Sequence, residues 1–191
     1  MSPFEYLLTF AAIVLGLAIT DLAMGLSRLL HAGSRVTWGL LTPLAAVVVF
    51  LKIISQWWIW YAAQSMARTA SFEMFIVVMI GAVLLFLLAA ALLPEVPTGT
   101  DRIDLPGHFT YVQRRFWLLF VAHWMVMNGV SIWAEMQLQG ARLDLMSPTY
   151  LIPIAALALA FIRQRWVQTV SMAILIIIYL TQFHGQHLTS P

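Results

Sequence analysis

Lys52 stands inside VVVFLKIISQWWIW, Val47–Trp60, an apolar run fit for a membrane interior. It is the only lysine in a chain whose other basic residues are arginine. An amine can release its proton when stripped of water, whereas a guanidinium effectively cannot. A lysine in such a place suits a proton relay, or a site where charge arrives with a ligand. It also suits a buried structural ion pair, which is the simpler reading and the favoured one. The partner on offer is Asp21, in GLAITDLAMGLSRLL. Asp21, Gly25 and Arg28 fall at i, i+4 and i+7, one face of a helix, and Gly25 would let a second helix approach closely. Gln56 lies one turn beyond Lys52 on the same face and Ser55 beside it, so both are expected to complete the hydrogen bonding around the amine.

A second constellation is FVAHWMVMNGVSIWAEM, Phe120–Met136. Asn128, Ser131 and Glu135 fall at i, i+3 and i+7 and make one polar stripe, with His123 near its edge. Hydrogen bonding between helices is favoured over a ligand path for this stripe. Together, Asp21, Arg28, Lys52, Gln56, His123, Asn128, Ser131 and Glu135 are the candidate ligand-binding or ion-path residues.

Other patterns carry less. WWIW, Trp57–Trp60, reads as packing and interface anchoring before it reads as a platform for a lipid or quinone ring. HGQH, His184–His187, has metal-like spacing, but two histidines on a chain end make a poor site. A bis-histidine haem needs two buried histidines, and only His123 qualifies, with His31 at a helix boundary. Asp101, Asp104 and His108 have a DxxD spacing that is common in ordinary turns. No P-loop, GxSxG or HExxH pattern occurs, and no cysteine is present for disulfides, thiolate metal sites or cysteine catalysis. The sequence assigns no metal site and no cofactor.

The elements that must hold these residues follow from composition. Hydrophobic residues make up 62% of the 191 and charged ones only 9%, against about 25% charged in soluble domains. The mean hydropathy is +0.89. A water-soluble fold of this size could not hide so much apolar surface. The net charge of +2 includes no basic cluster dense enough for nucleic acid. The start, MSPFEYLLTF, lacks the basic region of a cleavable signal and reads as a retained first helix.

A spanning helix needs about 20 mostly apolar residues. Segments 4–30, 38–64, 72–93 and 116–138 meet this, and 147–162 and 166–183 are shorter. The fold class is therefore all-α, a polytopic transmembrane bundle of six helices in a single domain. A five-helix version follows if the last two segments form a re-entrant hairpin. Pro153 is expected to kink the fifth helix, and the short RQRW break, Arg163–Trp166, makes five and six an antiparallel pair. Loop 94–115 is the only candidate for an ordered element outside the membrane. Helices three and six hold almost nothing polar and are expected to form the lipid-facing scaffold around one, two and four. No internal repeat supports an inverted-repeat transporter.

Arginine counting sets the orientation. Arg28, Arg35, Arg102, Arg114, Arg115, Arg163 and Arg165 flank loops one, three and five, against Arg68 and Arg142 on the other side. The odd loops are then cytoplasmic and both termini lie outside. Trp38, Trp117 and Trp166 are expected at the inner interface, and Trp133, Tyr150 and Phe183 at the outer one. Lys52 lies near midplane, about 21 Å of helix rise from Trp38.

GLAITDLAMGLSRLL, the WW-x-W of helix two, and ALLPE followed by D-x-x-DL before an aromatic-rich helix resemble a family of small bacterial multi-helix inner-membrane proteins with no established activity. The resemblance covers the first two-thirds of the chain. It implies a bacterial inner-membrane location and gives Asp21 and Arg28 weight as patterned positions. The leading functional expectation is a non-enzymatic membrane component that binds a lipid, a small ligand or a partner protein. The alternative is a small transporter or proton-coupled channel using Lys52, Asp21, Asn128 and Glu135. The bilayer is the expected partner, with a homo-oligomer or a second membrane protein both open.

Overall fold

The computed structural model describes residues 3–63, 71–96, 101–139 and 148–182. Among them are six helices: α1 Pro3–Ala32, α2 Leu41–Ala63, α3 Phe72–Ala90, α4 Leu105–Gln139, α5 Pro148–Leu159 and α6 Arg165–Gln182. The fold is all-α. By length and composition, three stretches can cross a membrane: Phe4–Arg35, Leu41–Ala62 and Phe72–Ala90.

The helix ends have local causes. α1 stops where Gly33 takes φ +54, the left-handed conformation that favours glycine after a helix C-terminus. One 3-10 turn, Gly33–Arg35, follows. Ser71 caps α3 by accepting from the Met74 N–H at 3.2 Å, and Glu73 places its charge in the first turn. Asp104 stands just before α4, and its carboxylate lies over Gly107 in the first turn.

α3 lies between α1 and α4, α6 packs along α2, and α5 rests on α4. Leu85, Leu88, Phe116, Trp117 and Phe120 fill the core. The outward faces are apolar as well: Phe10, Ile13 and Leu17 on α1, Phe50 on α2, Ile80 and Val83 on α3, and Ile174 and Ile177 on α6 are all exposed. Two close approaches fit glycine. A methyl at Gly25 would press on Leu93, and one at Gly81 would run into Met127 across the α3–α4 contact.

At one end, β1 (Val36–Thr37) pairs in parallel with β2 (Ile103–Asp104). Leu29, Ala32, Val36, Ile103 and Leu105 form a small second core beneath this pair. The pairing joins the α1–α2 and α3–α4 connections. A cavity of about 200 Å³ touching Gly39, Pro106 and Arg165 brings the start of α6 to the same end.

Three expectations change. Pro106 and Gly107 do not break the chain; they sit in the first turn of α4, where a missing N–H costs no helical bond. α4 therefore starts at Leu105, not near Phe116. At 35 residues it is about 52 Å long. Helices α3 and α6 do present apolar outer faces, but they are more than a scaffold around α1, α2 and α4: α3 is packed between α1 and α4, and α6 lies along α2, so each also covers one side of the interior polar groups. Trp117 is fully buried and so is no interface anchor, whereas Trp38 and Trp166 are exposed. Arg68, Arg142, Phe183 and HGQH lie outside the described residues, as do the side chains of Trp133 and Tyr150.

Two glycines separate backbone need from chance. Gly16 lies inside α1 with open space around it, so Gly16→Ala is expected to stabilise by about 0.5–1 kcal/mol. Gly33→Ala faces equally open space but the wrong backbone region, and is expected to destabilise by about 1–2 kcal/mol. Chemical denaturation in detergent checks both signs.

Candidate interior polar site

α2 carries an apolar stripe, Ala45, Val48, Val49, Ile53 and Trp60, that faces the core. Lys52, Ser55 and Gln56 fall within the same helical face, so α2 cannot bury the stripe without burying them. Lys52 is 9% exposed and Ser55 1%. The Lys52 Nζ stands 5.9 Å from the centroid of the Tyr179 ring on α6, within cation–π range. His123 of α4 lies within electrostatic reach of Lys52. Among the described residues no acidic side chain is paired with this amine. Ser55 Oγ, one turn along α2, is buried with no hydrogen-bond partner among the described residues.

His123 is 0% exposed. Its Nδ1 faces the Gly81 carbonyl of α3 at 3.0 Å and its Nε2 faces Gln56 Oε1 of α2 at 3.1 Å. A carbonyl only accepts, so Nδ1 donates. Two proton arrangements satisfy the second contact. In one the ring is an imidazolium and donates to the Gln56 oxygen as well, at the cost of a second buried positive charge near Lys52. In the other it is neutral, and the Gln56 amide turns over to donate into Nε2. The proton on His123 is thereby coupled to the orientation of Gln56, one turn from Lys52.

The structure thus gathers Lys52, Gln56 and His123, and adds Tyr179, Ser55 and the Gly81 carbonyl. It does not bring Asp21 to Lys52, and the expected ion pair is corrected. α1 turns Leu15, Ala18, Leu22, Gly25 and Leu29 inward and packs chiefly on α3. Asp21 is left on the rim of that face, half-buried. Arg28 is exposed and donates to the Met24 carbonyl of its own helix at 3.3 Å. Asn128 likewise turns back on α4, donating to the Trp124 carbonyl at 2.9 Å. Ser131 and Glu135 belong to α4, with side chains outside the described residues. Trp57 stacks on Tyr61 at 5.3 Å with Trp58 beside them, an aromatic cluster near the end of α2.

Sequence reasoning missed a second buried network. Gln113 of α4 donates to the carbonyls of Leu159 and Ile162 at 2.9 and 2.7 Å. Gln168 of α6 donates to the same two carbonyls at 2.8 and 2.7 Å. Trp117 Nε1 donates to Gln168 Oε1 at 2.7 Å. A helix C-terminus leaves carbonyls unpaired, and α5 ends without a glycine cap. That was the available signal: the missing cap called for donors from elsewhere.

Asp101 and Asp104 are exposed, and among the described residues no three His, Asp or Glu side chains gather closely enough for a metal ion. His108 instead donates to the Leu92 carbonyl, and its Nε2 is buried with no partner among the described residues. Burial holds its ring below the usual imidazole range.

Compared with family models, curated proteins and solved structures, the chain matches none of them. Fold and composition define the class: an all-α bundle with three helices able to cross a membrane and a polar interior.

Two outcomes follow. Gln113→Leu is expected to cost about 1 kcal/mol, and Gln168→Leu about 2 because it also orphans Trp117 Nε1. The double variant should lose more than the sum, since only then do both carbonyls stand bare; denaturation of all three variants checks this. For His108, the unfolded ring takes up a proton near pH 6.5 while the folded ring resists it. Its contribution to stability is full above that pH and falls as pH drops below it. Melting temperature should decline between about pH 7.5 and pH 5.5, and His108→Gln should decline less.

Proposed function

We propose that the protein is a non-enzymatic multi-pass membrane component whose interior binds a small anionic group at Lys52. One observation carries the reading: a buried amine with no acidic partner among the described residues, beside a buried hydroxyl, Ser55 Oγ, that also has none. An intramembrane charge costs about 2.5–3.5 kcal/mol on insertion scales and ordinarily has a partner. A carboxylate or halide would take hydrogen bonds from both groups and balance the charge.

The membrane setting rests on the three helices long and apolar enough to cross and on the exposed apolar side chains of α5 and α6, which supports six traverses or near-traverses. α5, at 12 residues and about 18 Å, is the shortest. Arginines at the shared end of the connections support cytoplasmic odd loops and outward termini. A bacterial inner-membrane location follows the sequence resemblance.

A second reading, a proton-coupled path, is favoured by His123. Its two proton arrangements and the turning of Gln56 make a proton-linked element beside a second titratable base.

The test uses purified protein in detergent at constant ionic strength. Replacing gluconate by formate or chloride is expected to raise the melting temperature. Lys52→Met should remove that response while melting at or above the wild type, because it deletes an unbalanced charge. An anion response that survives in Lys52→Met would exclude this site. For the second reading, His123→Leu should abolish proton flux in liposomes loaded with a pH dye.

A further inference from the structure

α5 and α6 are joined by only residues 160–164, yet each packs on a different neighbour, α5 on α4 and α6 on α2. They separate above their connection and leave a wedge between them. The wedge is a cavity of about 210 Å³, backed by Trp117 and walled by Ala155, Ala156 and Leu159 of α5 and Ser171 and Ile178 of α6. Of its lining, Ala155 and Ile174 are exposed, which puts the open side on the outer face. The space exists because Ala155, Ala156 and Ser171 are small. Its base is held by Gln113 and Gln168 on the Leu159 and Ile162 carbonyls, so the helices cannot simply close over it there.

An apolar cavity of about 150 Å³ already admits a benzene-sized ligand, and an unfilled one forfeits dispersion contacts along its walls. The cavity therefore suits several methylenes of a chain entering from the side. Charge then selects the molecule. The connection at its lower end carries Arg163, Arg165 opens α6, and both are exposed. Arg114 stands over the Phe161 ring at 5.2 Å on the same end. Arg165 stands six residues before Ser171 on α6, about 9 Å of helix rise and close to the span between a phospholipid's phosphate and its acyl chain, and Arg163 lies on the connection beside it.

We propose that the α5–α6 wedge holds one acyl chain of an anionic phospholipid, with the phosphate at Arg163 and Arg165. The site rests on the membrane setting above but not on the Lys52 ligand.

The experiment is native mass spectrometry of the full chain in detergent, titrated with dioleoyl phosphatidylglycerol or dioleoyl phosphatidylcholine. One phosphatidylglycerol adduct is expected, retained over phosphatidylcholine. Ala155→Trp fills the wedge mouth and should remove it. The double variant Arg163→Ala/Arg165→Ala touches no core residue and should weaken phosphatidylglycerol roughly thirtyfold, toward the phosphatidylcholine level. Lys52→Met should keep the adduct, which separates failure of this site from failure of the interior one. Equal retention of the two lipids, an adduct unchanged in the arginine variant, or a lipid-free dimer would each overturn the proposal.

Discussion

His123 ties three helices at one point. Its ring reaches the Gly81 carbonyl on α3 and Gln56 on α2 from its own place on α4. In a bundle whose outer faces are apolar, polar groups must find partners inside. That constraint puts α3 directly against α4, and a glycine at position 81 leaves room there for the Met127 side chain of α4. Once His123 and Gln56 meet, the face of α2 that holds Gln56 is committed inward, and Lys52 goes with it. The position of the charge is a consequence of where the neutral groups pair.

The same constraint acts at the base of α5. A helix of three turns that ends without a glycine leaves carbonyls that neighbouring side chains must satisfy. Gln113 and Gln168 come from opposite directions to do so, and Trp117 orients the second of them. This fixes how α5 meets α6 at one end while their different packing partners separate them at the other. The wedge and the interior site are therefore products of the same arrangement, in which α4 serves as the common wall.

The two networks differ in completeness. At the α5 terminus each donor has an acceptor and each of the two carbonyls has two donors, which suits a structural joint. Around Lys52 the count does not close among the described residues: the amine is buried with no acidic partner, and the Ser55 hydroxyl has no hydrogen-bond partner. Stable cores avoid that imbalance, and it is the imbalance that the proposed anion at Lys52 would relieve.

Composition and apolar run length alone determined that the chain is helical, apolar on its outside and built of six segments, because such properties add up residue by residue. Lys52, Gln56 and His123 were legible as candidates for the same reason: a polar residue in an apolar run stands out wherever the run goes. The partners were not legible. Asp21 and Lys52 looked paired because opposite charges were the only long-range rule available, whereas α1 packs on α3 and leaves Asp21 on its rim. Tyr179 and the Gly81 carbonyl lie far from Lys52 in sequence and carry no charge, and Gln113 and Gln168 show their role only when the end of α5 arrives between them. Which helix lies against which was decided by packing, and packing decided the site.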